Sequence, residues 1–353
     1  MKNKKTTLQQ IEHTLIPAFK DNKLVKSMHL NPDMLAESEY ARSGYGNGLV
    51  EAGKQNKNVC VLCCDLTEST KSNYFKSHFP ERFVEIGVAE QNMAGIAAGM
   101  ASEGKIPFMS SYAVFNPGRN FDQIRVSICY SNLHVIIAGA HAGISVGPDG
   151  ATHQALEDIS MMRVLPNMVV LVGADYDQVK KLTMLAANKN NNFPIYLRFG
   201  REKIPKITTE KTPCVIGKAD IYRQGRDCVI IACGPMVYEA LIAAKELSNE
   251  NAVECTVINC HTIKPLDVKT LVSAAKQCKA VVTAEEHQVY GGLGGAVSEL
   301  LSSEYPVPIK RVGVLDTFGE SGSPEALMKK YKLTSKDIIK AVKDVLKMKK
   351  DLL

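Results

Sequence analysis

The chain has 353 residues, 45% hydrophobic and 23% charged, with a formal net charge of +6. That length suggests two domains and that composition an ordinary soluble globular protein. No apolar run approaches the roughly 18 to 20 residues of a membrane span, the N-terminus lacks a secretory core, and the lysines gather at the two ends without interleaved aromatics; a cytoplasmic protein with no membrane and no nucleic-acid partner is expected.

Residues 1–37 read as an N-terminal arm, with an apolar pattern at Leu8, Ile11, Leu15 and Ile16 that suggests a short amphipathic helix and no arginine of the kind transit peptides carry. From Tyr40 helix and strand periods alternate. "GYGNGLVEAGKQ" predicts a helix, "NVCVLCCDL" and "FVEIG" strands, "AEQNMAGIAAGMASEG" a helix, and "IPFMSSY" a strand. Helix "NFDQIRVSICYS", strand "LHVIIAGA", a glycine-rich loop, helix "HQALEDISMMRVL", strand "MVVLVGA", helix "YDQVKKLTMLAANK" and strand "FPIYLRFG" follow. The polar, proline-containing stretch at 206–213 reads as a linker. Alternation resumes through "DCVIIACG", "MVYEALIAAKELSN", "ECTVINC", "VKTLVSAAKQC", "KAVVTAEE", "GGAVSELLSS" and "IKRVGVL" to a terminal helix "SKDIIKAVKDVLKM". Two α/β domains are expected, at 38–205 and 214–353, each a mostly parallel sheet flanked by helices. The ten cysteines lie mainly in the apolar runs, without the paired spacing and histidines of a zinc site, and read as reduced core residues.

In open parallel sheets ligands bind beyond the carboxyl ends of the strands. Three polar loops fall there: "CCDLTEST", "IGVAEQN" and "HAGISVGPDGATHQ". The last sets His141, Asp149 and His153 among glycines, with Thr152 placed to cap the next helix; on pattern alone it reads equally as a capped surface loop, and its spacing matches no standard metal signature. Glu90 opens a helix of small and apolar residues. An exposed acid in a first helical turn is favoured by the macrodipole, whereas a dry one needs a partner, because an unpaired buried carboxylate costs several kcal/mol. Glycines 291, 292, 294 and 295 before a helix read either as a close-packed turn or as an anion site.

Taken together, "CCDLTEST", "VEIGVAEQNMAGIAAG" and "HAGISVGPDGATHQALEDISMMRVLPN" resemble the pyrimidine-binding domain of transketolases, followed by that family's C-terminal domain. The resemblance covers residues 38–350 and is closest to the C-terminal subunit of split transketolases. It implies thiamine diphosphate as cofactor, with Glu90 hydrogen-bonding the ring nitrogen of its aminopyrimidine and so promoting its reactive carbanion. It places stacking aromatics at Tyr112 and Phe115, with Gly118 where a third aromatic is usual, and Asp65 beside the cofactor. His153 falls next to the reactive carbon, and Asp149 at the substrate C2 hydroxyl. Arg42, Ser69, His141 and Arg201, with Arg198 near the last, match a sugar-phosphate site.

The family's diphosphate-binding G-D-G motif is not found in this sequence. The resemblance therefore implies an N-terminal transketolase subunit that carries the diphosphate and its Mg2+ or Ca2+, no metal ligand here, and by analogy two copies of each chain. The implied reaction moves a two-carbon ketol unit from a ketose phosphate to an aldose phosphate. "HTIKPLD" and "TAEEHQVYGGLGG" look as much like deoxyxylulose-phosphate synthase, and a non-catalytic transketolase-like scaffold is the remaining alternative; the loop of His141, Asp149 and His153 disfavours a 2-oxo-acid dehydrogenase subunit.

Overall fold

The computed structural model describes residues 18–351; the amphipathic pattern at Leu8 to Ile16 lies outside them. The first unit runs β1 (Ser38–Tyr40), α1 (Ala41–Gln55), β2 (Val59–Cys63), α2 (Asn73–His78), β3 (Phe83–Glu85), α3 (Glu90–Ser102), β4 (Ile106–Tyr112), α4 (Phe121–Gln123, continued by a π-helical stretch Ile124–Tyr130), β5 (Ile136–Ala140), α5 (Asp158–Arg163), β6 (Val169–Val172), α6 (Tyr176–Ala186), β7 (Ile195–Arg198) and β8 (Lys203–Pro205). The second runs β9 (Asp220–Arg223), β10 (Cys228–Ala232), α7 (Met236–Asn251), β11 (Cys255–Asn259), β12 (Thr262–Lys264), α8 (Val268–Cys278), β13 (Val281–Gln288), α9 (Leu293–Glu304), β14 (Ile309–Val314), α10 (Pro324–Lys330) and α11 (Ser335–Asp351).

Two sheets of α/β type result, with strand orders β12-β6-β7-β5-β4-β2-β3 and β14-β13-β10-β11-β9. β2 to β7 pair in parallel, as do β10, β11, β13 and β14, while β9 and β12 run antiparallel at edges. The continuous apolar runs fold this way because strands covered on both faces bury every side chain. Val59, Val61 and Leu62 of β2 are wholly buried, each stabilising the fold by about 1.5–3 kcal/mol over exposure. All ten cysteines are free and nine are buried.

The two units are locked together. β12, within the second stretch of sequence, adds to the first sheet by pairing with β6. One apolar cluster runs from Leu62 and Met93 through Val170 to Ile258 and Leu271. The polar stretch 206–213 is held at its start by Asp175, whose carboxylate accepts the N–H groups of Ile207 and Thr208 at 2.7 and 2.5 Å while also capping α6 through Gln178 N–H at 2.9 Å. Gly44 lets α1 and α6 touch: a Cβ there would sit 2.2 Å from Tyr176 O.

The helix expected over 153–165 begins only at Asp158, with Glu157 at its N-cap, and Thr152 does not cap it. Residues 154–156 are drawn into other contacts instead: Gln154 Nε2 donates to Ile144 O and Glu320 O, both at 3.0 Å, and Leu156 O accepts Gln288 N–H at 2.8 Å.

Candidate active site

The loops leaving the carboxyl ends of β2, β3, β4, β5 and β7 gather the candidate residues along one sheet edge. Glu90 opens α3 and is only 3% exposed, beside exposed Gln91 and Asn92. Its carboxylate has a partner: Arg119 Nη1 reaches the two oxygens at 3.2 and 3.3 Å, and Ser111 Oγ donates at 3.5 Å. The Arg119 side chain is 48% exposed, and its guanidinium lies 4.0 Å from the centroid of the Phe115 ring. Asn120 Nδ2 donates to Glu90 O and to Asn116 Oδ1 at 3.1 and 3.0 Å, and Asn116 Nδ2 donates to Met109 O at 3.0 Å. This ladder fixes the head of α3 against β4. Arg119, Asn116 and Asn120 are not among the residues expected from the sequence; their signal is the polar cluster "NPGRN" directly after Tyr112 and Phe115.

Four rings from two loops make one wall. Tyr112 and Phe115 have centroids 6.0 Å apart at 20°. His141 stacks on Tyr112 at 4.0 Å, and His153 meets Phe115 edge-on at 5.4 Å. Gly118 cannot complete the wall, because a Cβ there would lie 2.0 Å from Val114 O. His141 is buried with both ring nitrogens free of hydrogen-bond partners, in the left-handed region at φ 53°. Burial, then the charges of Arg42 and Arg201, lower its pKa to about 3, so the ring is neutral at physiological pH.

Around His141 stand the basic residues. Arg42 Nη1 donates to Ser69 O at 3.1 Å and Arg201 Nη1 to Val146 O and Asp149 Oδ1 at 2.9 and 3.0 Å. Arg198 is buried in an ion pair of 2.7 Å with Asp158, so of the two neighbouring arginines Arg201 is the one that reaches the loop of Asp149. His153 Nδ1 and Thr152 Oγ1 share a hydrogen bond of 2.9 Å.

Asp65, in the loop after β2, is exposed and at φ 55°. Its loop is tied to the turn before α3 by Glu85, a residue the sequence reading does not single out: one oxygen accepts Asp65 N–H and Gly87 N–H at 2.7 and 3.2 Å, and the other accepts Thr67 Oγ1 at 2.8 Å. Against the upward push of burial, these donors hold the Glu85 carboxyl below its ordinary range.

The glycine-rich turn before α9 is already filled. Glu285 accepts Leu293 N–H and Gly294 N–H at 2.6 and 2.7 Å, so the chain's own carboxyl fills that helix end. Among the described residues no three His, Cys, Asp or Glu side chains gather as a metal site, and no helix is long and apolar enough to cross a membrane. Cavities of about 750, 630 and 600 Å³ are lined by residues such as Lys57, Lys218 and Arg163 and by none of the four rings.

The family described as "Transketolase, pyrimidine binding domain" matches residues 40–206 and "Transketolase, C-terminal domain" matches 217–338. A Methanocaldococcus jannaschii protein described as a putative transketolase C-terminal section is 42% identical over 309 residues, 87% of this chain and 96% of its own. A 1-deoxy-D-xylulose-5-phosphate synthase of Carboxydothermus hydrogenoformans is 36% identical over 86% of this chain, which spans only 48% of that protein. A solved structure described as a split gene transketolase, inactive beta4 tetramer, is 45% identical with a TM-score of 0.81, covering 89% of this chain and 100% of that one. The chain thus belongs to the transketolase family and corresponds to its C-terminal portion, a pyrimidine-binding domain followed by the C-terminal domain.

Proposed function

We propose that the chain is the C-terminal subunit of a split transketolase that moves a two-carbon ketol unit from a ketose phosphate to an aldose phosphate with thiamine diphosphate. The observation that carries this reading is Glu90, a carboxylate 3% exposed beside the wall of Tyr112 and Phe115. A planar, nitrogen-bearing ring fits such a place: aromatic faces on one side and a dry acceptor on the other. Arg119, planar and cationic, already meets both Phe115 and Glu90, and is the group that a ring nitrogen would replace on the carboxylate.

The bound cofactor supplies the carbanion chemistry. Glu90 would hold the cofactor's ring nitrogen, Tyr112 and Phe115 would take its stacking face, and Asp65 would contact it from the neighbouring loop. His153 positions or moves a proton at the sugar hydroxyls, and Asp149 takes the C2 hydroxyl. Neutral His141, with Arg42, Ser69 and Arg201, recognises the phosphate. Arginine's planar fork suits that anion.

The same reading assigns the diphosphate and Mg2+ or Ca2+ site to an N-terminal transketolase subunit, in an assembly of two copies of each chain in the cytoplasm, with 1–37 as an arm and 206–213 as the domain junction. Relatives described as a putative transketolase C-terminal section and as a split gene transketolase, 42% and 45% identical, support it.

The relationship to deoxyxylulose-phosphate synthase keeps one second reading in view. Assaying the chain with its partner subunit on ketose phosphates and on a 2-oxo acid separates the two: ketol transfer without carbon dioxide release supports transketolase, and decarboxylation supports the synthase. Assembly without turnover on either points to a scaffold. Arg201→Ala is expected to raise KM for phosphorylated substrates roughly ten- to a hundredfold, as loss of a charge-assisted hydrogen bond would, and to leave unphosphorylated analogues almost unaffected. An equal effect on both removes Arg201 from phosphate recognition.

A further inference from the structure

We propose that Glu286, on β13 of the second domain, is a positioning residue that sets the loop 143–150 and thereby the placement of Asp149, His141 and His153. The inference rests on the reading of that loop as the substrate loop.

Glu286 is 1% exposed. Its Oε1 accepts Ser145 N–H at 2.6 Å, and its Oε2 is buried with no hydrogen-bond partner. Burial pushes the carboxyl above its ordinary range, with Arg198 and the Ser145 N–H pulling the other way. A side chain kept only for packing needs no such group: burying a carboxyl with one oxygen unsatisfied is costly, and an apolar residue of similar volume avoids that cost. What the carboxyl adds is a fixed acceptor for one loop N–H.

The loop is built around that acceptor. Gly143 has φ +93°, and a Cβ on it would fall 2.3 Å from Glu286 Oε1 and 2.4 Å from Cδ. Only glycine permits both the backbone angle and the contact. Gly143 N–H then bonds Ala155 O at 2.9 Å, closing the base of the loop. The far side is gripped as well: Gln288 N–H of the same strand donates to Leu156 O at 2.8 Å, and Arg198 of β7 bridges the two, its Nη2 donating to Glu286 O at 2.9 Å and to Ala155 O at 3.4 Å. His141 lies two residues before Gly143, and His153 two before Ala155. The second domain therefore holds both feet of the segment that carries the three polar residues.

Full-length chain carrying Glu286→Ala or Glu286→Gln tests this. On the chain alone, amide hydrogen exchange over 144–150 is expected to accelerate about tenfold or more in the alanine variant, with exchange in β10 and β13 unchanged, and to return near the parent rate in the glutamine variant, whose amide oxygen still accepts Ser145 N–H. With the partner subunit, Glu286→Ala is expected to raise KM for phosphorylated and unphosphorylated substrates alike, about tenfold, because the whole loop shifts; glutamine recovers it. Unchanged loop exchange in Glu286→Ala, or acceleration spread through the second domain, overturns the proposal. If the parent itself shows no ketol transfer, the exchange data still decide whether Glu286 sets the loop, and it is the substrate reading that fails.

Discussion

Glu90→Ala, assayed with the partner subunit, is expected to lose turnover by about a hundred- to ten-thousandfold, the range associated with a positioned proton-transfer group. The chain should nonetheless fold and assemble. The substitution removes a carboxylate that is 3% exposed and leaves Arg119 without its partner, but the arginine side chain is about half exposed and turns to water; ion pairs with one solvated member contribute about 1 kcal/mol or less. Glu90→Gln is the sharper control. It keeps the shape and one acceptor oxygen but loses the charge, so it should retain assembly and still lose most of the rate. Steady-state ketol transfer beside thermal unfolding measures both. A variant with parental turnover ends the proton role of Glu90, and one that fails to fold shows a structural carboxylate.

Asp158→Ala is expected to be the most destabilising of the substitutions considered, by about 3–5 kcal/mol. Asp158 and Arg198 are 1% and 3% exposed, and the Asp158 Oδ2 accepts both Arg198 Nε and Tyr196 Oη at 2.7 Å. Removing it strands a buried guanidinium and a buried phenol together. The remaining hydrogen bonds of Arg198, to Ala155 O and Glu286 O, are to neutral carbonyls, and the nearby Glu286 carboxyl acts on the guanidinium less than Asp158 does. Against the upward push of burial, Arg198 holds the folded Asp158 carboxyl below its ordinary 3.8. The stability it contributes is thus complete above that value and is lost only as pH falls through the lower folded pKa; the gap between parent and variant should be flat from about pH 8 to pH 5 and narrow in acid. Urea unfolding at several pH values checks this, and a difference below about 1 kcal/mol at pH 7 would show that the pair contributes little to the stability of the fold.

The parallel architecture was legible because runs such as "NVCVLCCDL" and "DCVIIACG" bury side chains on both faces and so are apolar throughout. Segments of three residues carry no such period. β12 went unread for that reason, although it joins the second stretch of sequence to the first sheet. α5 starts late because hydrogen bonds to Ile144 and Glu320 compete for residues that local propensity would place in the helix. In the site, the loop of His141 and His153 was legible as a polar cluster at the sheet edge, whereas Tyr112 and Phe115 came only with the family resemblance. The counter-charge was not, since Arg119 lies 29 residues beyond Glu90 in sequence. Glu85 looks like an ordinary acid at a strand end until its three donors are seen. The glycines before α9 kept two readings open, and only the position of Glu285 separates a self-capped turn from an anion site.

The central claim is that this chain holds one half of a cofactor site that another subunit completes. Calorimetric titration of thiamine diphosphate with Mg2+ into the chain alone, and then into its mixture with the N-terminal subunit, tests it most directly. Weak or absent heat for the chain alone, with tight binding and ketol transfer in the mixture, is the predicted result. Tight, metal-dependent binding by the isolated chain would contradict it.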